Sequence, residues 1–391
     1  MVGASLAVAL APLDLRIAVV EATLPDSDNQ PSFDERCTAV SYGSRVILDT
    51  MGCWKDIVAD ATPIQTIHVS DRGRPGISRI HAREQGVPSL GYVVPNRVIG
   101  GVLWPLLEHA PNVTLLAPAT VDEVEIDKDR VRLGLTTAQG PRRIRAGLLV
   151  AADGARSRLR DAVSLQASIS DYRQNAIVTT IATARPHANT AFERFTESGP
   201  LAVLPLGDDR CSVVWTVARE TCDTVLGWDD ATFIGHLQEQ FGFRLGAIER
   251  VAGRAAYPLY LVHARQQSRP RALLLGNAAH GLHPVAGQGF NLSLRDVAAL
   301  AETLSDHPDD PGSARILARY QDWRRADQRK VIAFTDGLVR MFTNRLAPVR
   351  GIRNAGLILF ELAPGAKQLF ARHTMGRAGK LPRLARGVPL V

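Results

Sequence analysis

Three short apolar runs at widely separated points of the chain have the pattern of buried parallel strands. They cover Arg16–Val20, 147–152 ("GLLVAA") and Ala272–Gly276. Such strands are continuously apolar because both of their faces are covered. Each run is followed by a small-residue turn and helix-like periodicity, and a small-residue helix from Met1 to about Ala11 precedes the first run. The pattern predicts one α/β nucleotide-binding domain assembled from distant segments.

The pattern between these runs changes to short alternating strands. Residues 176–184, 191–196, 201–206 and 211–217 alternate in polarity and are separated by Gly, Pro and Asp turns, which is typical of an antiparallel sheet. A further stretch, 63–95, is also strand-like. We therefore expect a substrate-side sheet domain inserted twice into the nucleotide-binding domain.

The chain becomes helical after about Leu294 and ends in a basic tail. The predicted domain bounds are 1–62, 97–165 and 265–330 for the nucleotide-binding domain, 63–96 and 166–264 for the sheet domain, and 331–391 for the helical C-terminal region.

Charge is unevenly distributed along the 391 residues. The whole chain has a net charge of +7, whereas residues 344–391 alone contain nine basic residues and one acid. The tail charge is interleaved with apolar stretches, and aromatic residues are only 6% of the chain, which argues against nucleic-acid binding. No apolar run is long enough to span a membrane. The four cysteines form no CxxC pair, so we expect free thiols, no metal site and a cytoplasmic location.

The strongest candidate for a ligand site is the segment Gly276–Asp296, "GNAAHGLHPVAGQGFNLSLRD", here called the Gly-rich segment. It follows a predicted buried strand and leads into a predicted helix. Small residues let a backbone approach a flat ligand closely, and the N–H groups of a helix start can hold anionic oxygens. A tight turn before a helix is the alternative, but the length of the segment favours a ligand site.

Two weaker signals lie at the ends of the other predicted strands. Asp153 and Gly154 in "AADGARSRLR" follow one strand, at the sheet edge where open α/β sheets bind ligands. Glu21 ends "RIAVVE" and could bind both hydroxyl groups of a ribose. Each has an ordinary alternative, since Asp-Gly is a common turn and a Glu at a strand end is commonly solvated.

Together these segments resemble the FAD-dependent aromatic hydroxylase family. The similarity is in "VVEA", "LLVAADGARSRLR" and "LLLGNAAHGLHPVAGQGFNLSLRD". Further stretches, among them "FDERCTAVSYGS", "IHVSDRG" and "AFERFTESGPLAVLPLGDDRCSVVW", resemble its ubiquinone-biosynthesis branch, and within it the bacterial 2-polyprenyl-6-methoxyphenol hydroxylases. Asn277, in place of the usual Asp, and "HVSDRG" favour this branch over sister hydroxylases that act at other ring positions.

The resemblance implies an α/β fold with an FAD-binding Rossmann-like domain of the GR2, aromatic-hydroxylase type. It also implies an inserted antiparallel-sheet substrate domain and a helical C-terminal tail. Relatives have a strand and a Gly-x-Gly turn immediately before the point that corresponds to Met1. We therefore expect that the first strand is missing, that about ten further residues precede this point in the native protein, and that FAD is held poorly without them.

The resemblance also assigns positions to FAD binding. Gly3 would be the last glycine of the dinucleotide fingerprint, and Glu21 would bind the adenosine ribose. Asp153, with Gly154, would lie near the pyrophosphate. The remaining assigned positions are Arg36 on the flavin side, Arg97, Asn277 at ribityl or pyrophosphate oxygens, and Pro284, Gly287, Gln288, Gly289 and Asn291 beside the isoalloxazine.

The implied activity is an FAD-dependent monooxygenase that hydroxylates a polyprenyl-phenol with O2 through a flavin C4a-hydroperoxide. NAD(P)H or another reductant would supply electrons. A Gln that touches FAD in many relatives is replaced here by Gly100 or Gly101, so that contact is absent. No catalytic side chain is assigned. His280 and His283 could tune protonation, although packing or capping a turn is the favoured interpretation.

Several alternatives remain open at this point. The chain could act at another ring position, could be a flavin-dependent prenyl reductase, or could be an FAD-deficient scaffold subunit among other ubiquinone-biosynthesis proteins. The basic, apolar tail (344–391) could dock on the inner membrane as a peripheral contact, or its helices could cap the domain. Residues Leu357–Leu362 are expected to face the core.

Overall fold

The computed structural model describes residues 1–25, 36–343 and 355–391. The helices in these residues are α1 (Val2–Leu10), α2 (Tyr42–Thr50), α3 (Trp54–Ile57), α4 (Asn96–His109), α5 (Arg158–Ala162), α6 (Arg219–Leu226), α7 (Asp230–Phe241), α8 (Gln288–Ser305), α9 (Ala314–Thr343), α10 (355–361) and α11 (Pro364–Thr374).

The strands, in chain order, are β1 (Ile17–Val20), β2 (Cys37–Ser41), β3 (Thr62–Ile64), β4 (Thr66–Asp71), β5 (Ile77–His81), β6 (Gly91–Pro95), β7 (Val113–Leu116), β8 (Ala119–Ile126), β9 (Val131–Thr137), β10 (Gly140–Ala146), β11 (Leu149–Ala151), β12 (Ala167–Thr183), β13 (Thr190–Thr196), β14 (Gly199–Pro205), β15 (Arg210–Ala218), β16 (Ile248–Val251), β17 (Ala255–Ala264), β18 (Ser268–Arg269), β19 (Ala272–Leu274) and β20 (His280–Gly281).

A nine-stranded sheet dominates one side of the molecule. Its order is β20-β17-β12-β15-β14-β13-β4-β5, with β16 also pairing β12. The expectation of an antiparallel sheet holds for most pairs, but β13 and β4 pair in parallel. These two strands come from separate segments of the chain, so no tight hairpin forces them to be antiparallel. The strand β20 belongs to the Gly-rich segment and therefore ties that segment to the sheet.

The three predicted apolar runs all form parallel strands. β1 pairs β7 in one sheet, whereas β11 pairs β19 in a second sheet that β18 extends. After β1, the next helix among the described residues is α2, which follows β2; the stretch 26–35 between the two strands lies outside the described residues.

The helix α1 lies inside the apolar core that both parallel sheets share. All residues from Ser5 to Leu10 are buried, and they pack in a cluster with residues of α2, α4 and α8. A helix that is apolar on every side is stable only when it is enclosed, which explains why α1 has few polar side chains. Pro12 lies two residues after the end of the helix at Leu10, and a proline there cannot continue it.

Two smaller antiparallel sheets complete the strands. One has the order β2-β6-β3, so part of the predicted inserted stretch 63–95 pairs with β2 rather than with the large sheet. The other, β8-β9-β10, lies within 119–146, where the sequence pattern had predicted no sheet.

The C-terminal part is helical, as predicted, and it packs on the body at several points. Met375 and Ala371 join one apolar cluster, and Leu384 and Leu390 join the main core. The expectation that Leu357–Leu362 face the core is only partly correct, because the helical period turns Leu359 and Leu362 outward, where they are 66% and 73% exposed. Among the described residues, no helix combines the length and apolarity that crossing a bilayer requires.

Candidate active site

The start of α1 meets the ends of two parallel strands. A Cβ added to Gly3 would lie 3.4 Å from the Cβ of Ala152, directly after β11. Gly276, after β19, has a φ of +62°, and a Cβ there would lie 3.1 Å from Val2. Both glycines therefore permit a close approach between α1 and the two strand ends. The structure thus brings together Gly3, the Asp-Gly turn and the start of the Gly-rich segment.

Glu21 lies at the same edge of the molecule. Its backbone extends β1, since Glu21 N donates to Leu116 O over 3.0 Å, and its carboxylate accepts from Thr23 N over 3.1 Å. Burial lowers the pKa of the Met1 amino group, and the negative charge of Glu21 raises it in part. The Glu21 carboxylate is therefore near the start of α1. The predicted ribose-binding acid is therefore close to the predicted fingerprint glycine.

The Asp153 carboxylate holds its own loop. It accepts hydrogen bonds from Ser157 Oγ and from Leu159 N (3.1 Å) at the start of α5. Gly154 has a φ of +87°, a conformation that favours glycine. The buried Arg160 then joins this loop to the Gly-rich segment, since its guanidinium donates to Ala278 O over 3.1 Å. Asp153 is therefore a loop-forming residue, while Asn277 beside Ala278 is exposed and available to a ligand.

The second half of the Gly-rich segment is fixed to β2. The Asn291 side chain accepts from Ser41 N and donates to Ala39 O, both over 2.8 Å, and it also donates to Gly287 O. Buried amides of this kind are costly to leave unpaired, so Asn291 determines the path of the segment. The buried Gln288 donates to Ala286 O, over 3.1 Å. Pro284 is exposed at the start of this turn.

Two glycines of the turn have different environments. Gly287 has a φ of +58°, and a Cβ there would press on Ala39 at 3.1 Å. A Cβ on Gly289, by contrast, would meet no protein atom within 4 Å. Gly289 is therefore not required by packing of the described residues, and its open side is free for a ligand.

Arg36 and Arg97 lie at neighbouring points of the backbone, directly before β2 and at the start of α4. The Arg36 guanidinium lies 4.5 Å from the centre of the Tyr257 ring on the large sheet, and Asn96 N donates to Arg36 O over 2.8 Å. Arg97 is exposed in the first turn of α4. In the same helix Gly100 is buried and Gly101 is exposed. Because both are glycines, neither has a side chain that could replace the Gln of many relatives.

His280 belongs to a buried ionic network that sequence reasoning missed. Its Nε2 lies 2.5 Å from Asp296 Oδ2, while Arg324 and Gln328 from α9 donate to the same carboxylate. Burial alone would raise the pKa of Asp296, but Arg324 and the hydrogen bonds from His280 outweigh it and lower the pKa to about 2. The network extends to Asp327, which Arg324 and Arg295 also contact. It anchors both ends of the Gly-rich segment to α9.

His283 caps the turn that follows it. Its Nδ1 accepts from Val285 N over 3.2 Å, and its ring meets Tyr172 edge-on with centroids 5.3 Å apart. Burial lowers the pKa of His283 to about 4, so the ring is neutral at pH 7. This geometry agrees with the capping interpretation.

Glu193 on β13 is a second residue that sequence reasoning missed. It lies two residues from both Ala191 and Phe195 on the strand, so its side chain shares their face of the large sheet. On this face Phe195 packs with Val285 of the Gly-rich segment. Burial raises the pKa of Glu193 to about 7, and a hydrogen bond from the Ala286 backbone N–H limits the rise. Its Oε1 is enclosed and has no hydrogen-bond partner among the described residues. Its one signal in the sequence was an acid between Phe192 and Phe195 within a strand.

These groups suit a dinucleotide that carries a flat ring system. Helices α1 and α8 begin without a side-chain cap, so their first N–H groups can bind pyrophosphate or ring oxygens. Glu21 can accept from ribose hydroxyls, and exposed Asn277 has both a donor and an acceptor. The open side of Gly289 leaves room for a planar ring. The residues present therefore fit FAD.

Comparison with known proteins agrees with this fit. The family model for the FAD binding domain matches residues 1–335. The chain belongs to the FAD-binding monooxygenase family. It is 38% identical over 396 residues to ubiquinone hydroxylase UbiL of Rhodospirillum rubrum, covering 100% of this chain and 91% of the relative. It is 32% identical to the 3-demethoxyubiquinol 3-hydroxylase of Escherichia coli, covering 96% of both chains. These relatives place this family member in the ubiquinone hydroxylase branch.

Solved structures show the same fold at low sequence identity. The p-nitrophenol 4-monooxygenase PnpA of Pseudomonas putida has a TM-score of 0.79 at 20% identity, covering 97% of this chain and 96% of that one. PqsL of Pseudomonas aeruginosa, a probable FAD-dependent monooxygenase, has a TM-score of 0.74, covering 91% and 96%. The chain is thus an FAD-dependent monooxygenase with the mixed α/β fold of this class, and the FAD prediction is confirmed. The roles assigned to individual residues remain predictions.

Proposed function

We propose that this FAD-dependent monooxygenase hydroxylates the ring of a polyprenyl-phenol in ubiquinone biosynthesis, with 2-polyprenyl-6-methoxyphenol as its substrate. The names of the relatives support the pathway, and Asn277 with the "HVSDRG" stretch supports the substrate. The observation that carries the proposal is the sheet face beside the Gly-rich segment. It is apolar around Phe195 and Val285 and contains one enclosed carboxyl, Glu193.

Each group on this face has a part in the proposed reaction. Bound FAD, once reduced, supplies the chemistry that activates O2 for transfer to the ring. The apolar side chains would exclude water and hold the ring. Glu193 would accept the proton of the phenol hydroxyl, which makes the ring more electron-rich and hence more reactive. Its pKa near 7 suits such an exchange. NAD(P)H or another reductant would supply the electrons.

The FAD site would be built from the predicted residues. The start of α1 and Gly3 would bind the pyrophosphate, Glu21 the ribose, and Asn277 the ribityl or pyrophosphate oxygens. Asp153 and Asn291 would shape the loops that line the cofactor, as their hydrogen bonds to Leu159 and Ser41 suggest.

A second candidate is a hydroxylation at another position of the same ring. The Escherichia coli relative that acts on 3-demethoxyubiquinol favours it. Mass spectrometry of quinone intermediates in a deletion strain, with complementation by this chain, separates the two. Accumulated 2-polyprenyl-6-methoxyphenol would support the proposal. Accumulated 2-polyprenylphenol, or a methoxyquinone that lacks a later hydroxyl, would assign the chain to the other position.

A further inference from the structure

Strands β4, β5 and β13 present basic side chains on the face of the large sheet that α7 covers. Phe192 of β13 marks this face, because its ring meets Phe241 of α7 edge-on with centroids 5.4 Å apart. Arg194, two residues further along β13, shares the face by strand alternation. The His68 ring of β4 lies 5.5 Å from that of Phe192, and Arg79 of β5 is the cross-strand partner of His68. These three basic side chains are therefore neighbours, on the face opposite the proposed substrate site.

Arg244 joins this group from the loop after α7. Its Nη1 donates to Phe241 O over 3.1 Å, and Nε of Arg194 donates to Gln240 O over 2.8 Å. Both guanidinium groups therefore meet at the C-terminal end of α7, where carbonyl oxygens without helical partners favour positive charge. We call Arg79, Arg194 and Arg244 the arginine cluster.

No carboxylate neutralises the arginine cluster in residues 1–25, 36–343 and 355–391. There its three guanidinium groups form no ion pair, and their hydrogen bonds go only to neutral oxygens, which include Ser70 Oγ at 3.3 Å from Arg194 Nη1. Glu239, an acid in the last turn of α7, is already paired with Arg72 over 2.5 Å. Because each arginine has five N–H donors, most donors of the cluster have no partner among these residues.

The arginines disfavour one another's charge. Burial, together with the nearby charges of Arg244 and Arg72, lowers the pKa of Arg194 to about 10, and Asp71 opposes this in part. Burial also lowers the pKa of Arg244, and the charge of Arg79 lowers it further. The fold thus holds together groups that repel one another, and an anion between them would relieve this repulsion.

His68 is the buried member of the group. The residue is only 5% exposed, and its Nδ1 is enclosed without a hydrogen-bond partner among the described residues. Burial lowers the pKa of His68 to about 4, with contributions from Arg244, Arg79 and Arg194, so the ring is neutral at pH 7. In the tautomer that carries the proton on Nδ1, this atom can donate a hydrogen bond to an anion.

We propose that the arginine cluster, together with His68, binds the phosphoryl group of a small molecule. Guanidinium groups match phosphate oxygens with paired N–H donors, and a phosphate dianion supplies the negative charge that the cluster lacks in the described residues. Arg79 is exposed, and Arg194 and Arg244 are half-buried, so a ligand can reach them from solvent.

Capping of α7 is the alternative role for these side chains. It accounts for the hydrogen bonds of Arg194 and Arg244 to the end of the helix, but two observations are left without a reason. The guanidinium group of Arg79, opposite His68, has no hydrogen bond to the described residues, and Nδ1 of His68 has none either. A phosphoryl group held between these side chains accounts for both.

Phosphate titration of the full-length, FAD-loaded protein tests the inference. Millimolar phosphate should raise the unfolding temperature of the wild type above that in chloride at the same ionic strength, because a ligand of the folded state stabilises it. The NMR signal of the isotope-labelled His68 ring, assigned with His68→Gln, should shift in a saturable way. Its pKa should rise as the charge of the arginines is balanced.

Arg79→Gln is the decisive variant. It should weaken phosphate binding by about tenfold or more, because it removes a charged donor. In chloride it should be as stable as the wild type, since the Arg79 guanidinium group has no hydrogen bond to the described residues. Arg210→Gln is the matched control and should bind phosphate like the wild type. Arg210 also lies on the large sheet, where it is exposed and paired with Asp208.

The same His68 signal distinguishes two sources of the phosphoryl group. If NADPH binds more tightly than phosphate and Arg79→Gln weakens it, the ligand is a nucleotide. If NADPH binds no more tightly, the ligand is free phosphate. A wild type without any phosphate-dependent change, or equal phosphate affinity in Arg79→Gln, would overturn the inference and leave the cluster as a cap of α7. None of these measurements needs turnover, so their failure would leave the proposed hydroxylation standing.

Discussion

Two carboxyl groups, one in the Gly-rich segment and one on the large sheet that packs against it, have opposite environments. Asp296, within the segment, is contacted by His280, Arg324 and Gln328, and its pKa falls to about 2. Glu193, on the facing sheet, has one enclosed oxygen without a partner among the described residues, and its pKa rises to about 7. The carboxyl group of Asp296 therefore stays charged near neutral pH, whereas that of Glu193 can exchange a proton there.

This difference separates a carboxylate that holds the Gly-rich segment in place from a carboxyl group that can take part in the reaction. A carboxylate with three donors fixes the position of the backbone that carries it, but it has no capacity left for a substrate. A carboxyl with a free oxygen and a pKa near 7 contributes little to structure, yet it can take up or release a proton during a reaction. We therefore assign Asp296 to positioning of the Gly-rich segment and Glu193 to the substrate.

The largest expected effect is the loss of the anchor. Asp296→Asn would leave the buried Arg324 without its main partner, and breaking a buried ion pair costs about 3–5 kcal/mol. Urea unfolding should show this loss, and purified protein should contain less FAD. Asp322→Asn is the matched control, because the Asp322–Arg325 pair is exposed and should contribute less than about 1 kcal/mol. A variant as stable as the control would contradict the anchoring role.

The substrate-side carboxyl should affect the rate of the reaction. Glu193→Gln keeps the shape of the side chain but removes the proton acceptor, so kcat should fall by about 10²–10⁴-fold. The wild-type rate should rise through about pH 7 as Glu193 loses its proton, and this rise should be absent in the variant. FAD content should not change. Glu220→Gln, at an exposed position on α6, provides the control. Unchanged kcat in Glu193→Gln would remove Glu193 from the mechanism.

Stability should depend on pH in opposite directions for the two carboxyl groups. The pKa of Glu193 is raised from 4.5 to about 7, so its contribution is fully present below pH 4.5 and is lost as pH rises through 7. The wild type should therefore lose about 3 kcal/mol of unfolding free energy relative to Glu193→Gln across this range.

The pKa of Asp296 is lowered, so its contribution to stability is present above pH 3.8 and is lost as pH falls toward 2. Chemical unfolding at several pH values measures both, and a constant difference between wild type and Glu193→Gln would contradict the raised pKa.

The anchor and the carboxyl also differ in how far the sequence could predict them. The Gly-rich segment was recognisable because glycines, Pro284 and Asn291 act locally within one run of residues. Arg324 lies 28 residues from Asp296 in sequence, and nothing in the helical pattern of α9 marks it as a partner. Glu193 is buried in the folded chain and meets the backbone of Ala286 from a distant segment, so its raised pKa depends on tertiary packing alone. The strands of the large sheet followed from alternation, whereas the parallel β4–β13 pair depends on chain connectivity that alternation does not encode.

The smallest expected effect concerns the open side of Gly289 in the Gly-rich segment. An added Cβ there meets no atom of the described residues within 4 Å, and alanine favours a helix over glycine by up to about 1 kcal/mol. Gly289→Ala should therefore leave the protein without FAD as stable as before or slightly more so. If FAD lies against this turn, the methyl group should weaken its binding. Gly235→Ala in α7 is the matched control, because its Cβ also meets nothing within 4 Å but the residue is far from the proposed site. Fluorescence titration with FAD compares the two. Equal affinities would show that the cofactor does not approach Gly289. Weaker binding in Gly289→Ala alone would place the cofactor against Gly289, because an added Cβ there meets no atom of the described residues within 4 Å.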